Sequence, residues 1–488
     1  MNKILAVDAY QAGHFLLTPE SMNHFQCSQV FYRKPLAEGD HRVISAGLTA
    51  FCNWLREPIT QADIDEADNI FCDFHAHHSA PYSMQYPWPK QIFQRVVDEF
   101  DGLLPVKVYG LMDGTTHYIG EPCVQVVCYV PGMGELVGWL ESTILPYMFL
   151  SSTVATRGRL RKERFLEVYR CCYPSKSEEE LEGMVAYKFH DFGRRASASV
   201  LTGVAHLINW LGTDTMDAVA EAIRLNGGKK FGACSIMAAA HRTITPWESE
   251  DAAYAKQVPM FAHTLQSVVA DSYDYFEGVR KLAEYAPLVK ERGGVLIIRP
   301  DSGDPVECVL EGLRILAERF DVVYQEKGLR VLQNAAGIQG DGINDEMIFE
   351  NIIPAMISAG WCPSNFAFGM GENNHVAKRS DLEACYKTCV AGDRGVMKWS
   401  NTPWKRSYPC AVSLIDGEIL PVTKQQLVRG NLGEFIEHYP AKPAYSFEDT
   451  RAKARDSWNI PKVADRISPK IRALQAEYME ELNCTGTI

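Results

Sequence analysis

Arg299 and Asp301 stand together in "IIRPDSGDP" (Ile297 to Pro305), beside a Ser-Gly turn. Fork-like phosphate contacts call for a guanidinium, and a carboxylate suits the Mg²⁺ that accompanies a pyrophosphate. The pair therefore points to anion handling, although Asp-Ser-Gly-Asp-Pro is also ordinary turn composition. "HDFGRR" (His190 to Arg195) sets the Phe192 ring beside two guanidiniums, Arg194 and Arg195. Stacking plus charge suits a flat heteroaromatic ring and an anionic partner, and a core Phe with surface arginines would read the same way. "GIQGDGIN" (Gly337 to Asn344) is a short glycine loop in which Gly340 and Gly342 let backbone N–H groups approach a phosphate. It lacks the Walker and Rossmann spacings. "GTDT" (Gly212 to Thr215) offers Asp214, a carboxylate that can accept from a carboxamide NH₂ but would repel a carboxylate ligand. "AAAHRTIT" (Ala238 to Thr245) offers His241 among small residues. Cys72, Asp73, His75, His77 and His78 look superficially metal-like, but no second cluster matches them, so no zinc site is expected there.

These clusters need strand ends to hold them. From about Tyr187, short β-like runs end in polar residues and helical segments follow. A helix is expected from about Ser197 to Trp210, a strand before Asp271 with a helix after it, and the same pattern around Arg299 to Pro305, around Gln339 to Gly342, and in "NFAFGMGENNH". Alternating strand, loop and helix implies a parallel sheet, open or closed into a barrel. In barrels the chemistry gathers at the C-terminal strand ends, where these clusters lie. Earlier in the chain, "RVISAGLTAFCNWL" (Arg42 to Leu55) reads as one amphipathic helix, and Leu104 to Leu111 and Cys123 to Val130 read as strands. A long helical region runs from about Glu135 to Tyr169, and "PSKSEEELEGM" marks a further helix start. After about Ala391 the pattern turns irregular, so the tail is expected to pack with the N-terminal part.

The 488 residues suggest two domains. With 46% hydrophobic and 23% charged residues the chain is globular, and its net charge of −12 argues against a nucleic-acid partner. The 14 cysteines form no regular framework and no CxxC pair, and the start lacks a signal-peptide run, so reduced thiols and a cytoplasmic setting are expected. No stretch approaches the roughly 18 apolar residues of a membrane span, so no membrane partner is expected.

"AVDAYQAGH", "DGLLPVKVYGLMDG", "HDFGRR", "GTDT", "AAAHRTIT", "VVADSYD", "IIRPDSGDP", "IQGDG" and "FAFGMG" follow one another in this chain. As an ordered set they resemble the nicotinate/nicotinamide phosphoribosyltransferase family. The resemblance implies an α/β fold: a type II phosphoribosyltransferase α/β-barrel over 146–390, and an α+β flanking domain from 1–145 with 391–488. It implies a pentosyltransferase of NAD salvage, a homodimer with shared active sites, Mg²⁺ at Asp301, and ATP that phosphorylates His241. Phe192 and Tyr10, the latter from a partner subunit, would sandwich the pyridine ring. Arg299 would contact the amide oxygen and Asp214 the amide nitrogen. Arg195 and Asp301 would handle donor and ring, with Asp271 near the ribose and Gly340 and Asp341 bordering the donor.

Asp214 decides the base. Facing nicotinate, it would cost on the order of 4 kcal/mol at about 4 Å with an effective dielectric near 20. Arg194, "FYRKPL" (Phe31 to Leu36) and Ala240 lean instead toward the nicotinate branch. The family's glycine run after Gly369 is replaced by "GMGENNHVAKR", where only Gly371 remains and Glu372 follows. Arg379 and Lys387 still fall on the family's basic positions for the donor phosphate. Two donors stay open: phosphoribosyl pyrophosphate, giving NMN, and ADP-ribose 1-pyrophosphate, giving NAD directly, as in a phage-associated branch similar in sequence.

Overall fold

The computed structural model describes residues 2–74, 86–197, 199–401 and 405–484. The chain forms two compact units, one of Arg157–Arg224 and Lys229–Val376, the other of Met1–Thr156, Leu225–Gly228 and Ala377–Ile488. The expected division was 146–390 against both chain ends. The first observed boundary falls inside the helix Glu141–Cys172.

The first unit is built on seven parallel strands, β1 (Phe189–Asp191), β2 (Gly212–Thr213), β3 (Met237–Ala238), β4 (Leu265–Val269), β5 (Val295–Arg299), β6 (Ala335–Gln339) and β7 (Phe366–Met370). Their order is β2-β1-β7-β6-β5-β4-β3. Edge strand β2 also bridges Cys234, in the segment leading to β3, so the sheet curls toward closure as an α/β-barrel. The strands read as short apolar runs because helices cover one face and side chains fill the other. Phe189, Val268, Ile298, Phe366 and Phe368 are buried there with Phe165, Trp210 and Leu313, each contributing about 1.5–3 kcal/mol.

Register aligns the strand ends. Arg299 pairs with Val269, Gln339 with Phe368, and Met370 with Asp191, which pairs with Thr213. Phe192, Asp214, Asp271, Asp301, Asp341 and Gly371 therefore all follow strands at the same end. Helix starts fix the loops beyond them: Asp304 caps Pro305–Leu316 and Asp274 caps Tyr275–Ala283, each accepting an N–H of the first turn at 2.8 Å.

The second unit holds a six-stranded antiparallel sheet drawn from both chain ends. Its order is Arg394–Gly395, Cys385–Ala391, Gln26–Phe31, Pro122–Cys128, Lys107–Gly110 and Ile436–Tyr439. The span Arg42 to Leu55 is not one helix. It is a strand, Arg42–Ile44, then a helix, Leu48–Leu55, joined through Gly47 at φ +100°. A Cβ on Gly47 would lie 2.2 Å from the Tyr147 carbonyl oxygen, and Asp113 accepts from Leu48 and Thr49 N–H to start the helix there. The helix expected to Trp210 is regular only over Val200–His206. His75, His77 and His78 lie outside the described residues. Among the described residues no group of three or more His, Cys, Asp and Glu converges as a metal cage, and no helix is long and apolar enough to cross a membrane.

Candidate active site

Four expected residues meet at the ends of β4 and β5. His241 Nε2 lies 3.2 Å from Asp301 Oδ2 and 3.7 Å from Asp271 Oδ1, and its Nδ1 lies 3.3 Å from Ser272 Oγ. Arg299 Nη2 stands 3.7 Å from the same Asp301 oxygen. Asp271 Oδ2 accepts from the Asp301 N–H at 3.1 Å and from Ser302 Oγ at 2.5 Å. Asp271 Oδ1 and Arg299 Nε are buried and have no hydrogen-bond partner. A carboxylate oxygen and a guanidinium N–H left without partners cost stability unless something else binds them. The cluster thus has an orphan acceptor and an orphan donor, which suits a cation and an anion bound together.

The Phe192 ring forms a second part of the site. A Cβ on Gly369 would lie 2.0 Å from Phe192 Cε2, and one on Gly340 would lie 3.2 Å from it. Both glycines let the ring settle flat on the ends of β6 and β7, with Phe192 N–H donating to Met370 O at 2.9 Å. Phe192 is partly buried, and an aromatic ring seated on bare backbone can serve as a shelf for a planar ligand.

Asp214 follows β2, its N–H donating to Asp191 O at 2.9 Å. Ser235 Oγ donates to its Oδ1. Burial pushes the neighbouring His190 imidazole down, and the Asp214 charge opposes this. Arg194 pairs with Asp217 at 2.7 Å, while Arg195 is exposed. Asp341 is exposed after β6, and its carbonyl accepts from Gln339 Nε2 at 2.8 Å. Gly371 leads into a short helix, Glu372–His375, in which Glu372 is exposed while Asn374 and His375 are buried.

Tyr10, Arg379 and Lys387 belong to the second unit. Tyr10 is 62% exposed, its ring edge against His14. Arg379 donates to Ala384 O at 3.1 Å, and Lys387 Nζ lies 3.9 Å from Glu141. Arg33, not singled out by sequence reasoning, joins them. Burial raises the Cys385 thiol to about 11, and Arg33, Lys387 and Arg379 all pull it back. Arg33 Nε and Nη2 are buried without a hydrogen-bond partner. Arg33, Lys387 and Arg379 thus act on the same thiol against Glu141, a charge composition that suits an anion. Ser235 was also missed, since a lone serine in "GACSIM" carries no signal.

Residues 187–391 match the nicotinate phosphoribosyltransferase (NAPRTase) family. The chain is 31% identical over 386 residues to a nicotinamide phosphoribosyltransferase of Xanthomonas campestris, covering 76% of this chain and 77% of that protein. It is 28% identical over 429 residues to a nicotinamide phosphoribosyltransferase of Mycoplasma pneumoniae, covering 79% and 89%. In fold it resembles human nicotinic acid phosphoribosyltransferase, with a TM-score of 0.54 at 17% identity over 96% of this chain and 95% of that one.

Proposed function

We propose that this chain, which belongs to the nicotinate phosphoribosyltransferase family, joins nicotinamide to C1 of a 1-pyrophosphorylated ribose and releases pyrophosphate. It is an enzyme of the NAD-salvage phosphoribosyltransferases. The observation that carries the choice of base is Asp214, fixed at the end of β2 with Ser235 on one carboxylate oxygen. Its other oxygen is the acceptor a carboxamide N–H would use, and the Phe192 shelf would hold the ring. Nicotinate would bring a second carboxylate against Asp214. The names of the bacterial relatives support the same base.

The pyridine nitrogen attacks C1 as the C1–O bond to pyrophosphate breaks, so no protein nucleophile is needed. Such a transition state gains most from positioning and from fixed charge around the leaving group. Arg299, with its unpartnered Nε, supplies that charge. Asp301, with the orphan Asp271 Oδ1 beside it, would hold Mg²⁺, which usually takes one or two carboxylates plus substrate phosphates. The ion would neutralise the pyrophosphate. His241 would be the residue that ATP phosphorylates. Arg379, Lys387 and Arg33 would bind donor phosphate. The homodimer with shared sites, Tyr10 closing the ring sandwich from a partner, and the cytoplasmic setting belong to the same proposal.

The default donor is phosphoribosyl pyrophosphate, giving NMN. Glu372 favours a second reading. It stands exposed where the family's glycine run would cradle a terminal phosphate, a dianion at neutral pH. A phosphodiester carries one charge less and continues outward, so ADP-ribose 1-pyrophosphate would suit the loop better and give NAD in one step. Mass spectrometry of products from purified protein, Mg²⁺ and nicotinamide, with the two donors offered in parallel, tests both. NMN from the first donor supports the default. NAD from the second alone supports the other. No product from either overturns the proposal.

A further inference from the structure

The short helix Glu372–His375 is not a loose substitute for a glycine loop. His375 Nε2 donates to Asp191 Oδ1 at 2.5 Å, and its Nδ1 lies 2.7 Å from Thr202 Oγ1. The ring needs the space above Gly193, where a Cβ would lie 1.8 Å from His375 Cδ2. Asn374 is held on both sides, its Nδ2 on His206 Nδ1 at 3.2 Å and its Oδ1 accepting from Arg161 Nη1 at 3.3 Å. Arg161 is fixed in turn by Asp345. Asn373 Nδ2 donates to Ile343 O at 3.2 Å. Side chains of three successive residues thus reach different elements, and two of the three are buried.

Asp191 joins this loop to the base half of the site. Its Oδ1 also accepts from Gly193 N–H at 2.7 Å, its Oδ2 from Thr213 Oγ1 at 3.3 Å, and its carbonyl from Asp214 N–H. One residue therefore supports the turn after Phe192, the strand end that carries Asp214, and the loop that carries Glu372.

We propose that His375, bonded to Asp191 and Thr202, is a positioning residue for the donor: it fixes the path of residues 371–375 at the end of β7. This rests on the reading of these strand ends as the donor site. The bonds of Asp191 to Gly193 and Thr213 survive loss of His375, so the base half keeps its support. The effect falls on the donor.

The test uses the full-length enzyme with His375→Leu, His375→Gln and Thr202→Val. The donor is phosphoribosyl pyrophosphate, or ADP-ribose 1-pyrophosphate if the wild type consumes only that. Leu removes both polar contacts, while Gln can still donate to Asp191. His375→Leu should raise the donor KM about tenfold, the usual weight of a hydrogen bond to a charged group, with the nicotinamide KM unchanged, and His375→Gln should recover most of the loss. An unchanged donor KM, an equal rise in both KM values, or a Gln variant no better than Leu overturns the proposal. If His375→Leu does not fold, Thr202→Val, which removes one hydroxyl, should raise the donor KM alone by about threefold, and no change there overturns it. Hydrogen exchange reads the same claim without activity. Amides of 371–375 should exchange faster in the weakest folded variant while those of β5 do not, and equal exchange overturns the proposal even if the wild type proves inactive with both donors. Wild-type inactivity itself would count against the proposed function and not against the clamp.

Discussion

Ser235 Oγ donates a hydrogen bond to Asp214 Oδ1 at the open end of the barrel. That bond orients the carboxylate on which the choice of base rests. Asp214→Ser should weaken nicotinamide use and admit nicotinate. The electrostatic penalty it removes is of the order of a few kcal/mol, so the ratio of kcat/KM for the two bases should move by more than about tenfold. Steady-state kinetics with each base checks this, and an unchanged ratio would sink the assignment of the base site.

Phe192 should act through its ring face. Phe192→Leu keeps an apolar side chain but loses the stack, worth about 0.5–1.5 kcal/mol, so the nicotinamide KM should rise by up to about tenfold while donor KM holds. Gly369→Ala should do at least as much, because its Cβ would lie 2.0 Å from Phe192 Cε2 and push the ring from its seat.

Glu372→Gly removes the loop's carboxylate and puts there the glycine that the resemblance implies. If its charge selects the donor, the variant should shift kcat/KM toward phosphoribosyl pyrophosphate relative to ADP-ribose 1-pyrophosphate. The two-donor product assay reads that ratio, and no shift would remove the loop argument for the longer donor.

Arg33→Met keeps the stem and removes the buried, unpartnered guanidinium nitrogens. If Arg33 binds donor phosphate with Arg379 and Lys387, the donor KM should rise about tenfold or more and the protein should be no less stable. Binding isotherms with pyrophosphate alone would show the same loss. Unchanged affinity would reassign Arg33 to structure.

Buried histidines set the acid limit of stability. Burial lowers His117 to about 3 and His206 and His438 to about 4, from 6.5. Each is held neutral in the folded chain, whereas the unfolded chain takes up a proton below 6.5. Their contribution is therefore complete above pH 6.5 and is lost as pH falls toward 4. The loss approaches about 3 kcal/mol for each group. Asp191 works in the same direction. Its burial would raise it, but the His375 bond, the neighbouring His206 and His375 rings and the Gly193 N–H together outweigh that and hold it well below the usual carboxylate range. Thermal melts should show Tm flat from pH 8 to about 6.5 and falling steadily below. A Tm that rises on acidification would contradict this.

The strand-end chemistry was legible because it is local. In "IIRPDSGDP" and "VVADSYD" the strand, the polar turn and the helix cap lie within one short span, and β5 and β4 end where the apolar runs end. What was hidden depends on contacts between distant segments. His375 and Asp191 are 184 positions apart, and Arg33 reaches Cys385 only through the pairing of Gln26–Phe31 with Cys385–Ala391. The sequence of the altered loop therefore showed its lost glycines and Glu372 but not that Asn374 and His375 are buried anchors. The strand at Arg42–Ile44 was missed for the same reason. Its apolar spacing continues into the helix, and only the approach of the Tyr147 backbone to Gly47 shows the break.

The central claim is transfer to nicotinamide. Purified protein given Mg²⁺, the donor it consumes, and equal concentrations of nicotinamide and nicotinate should form almost only the nicotinamide product, resolved from the nicotinate product by mass. Nicotinate product in excess would contradict the account, because Asp214 could not then face the ring substituent.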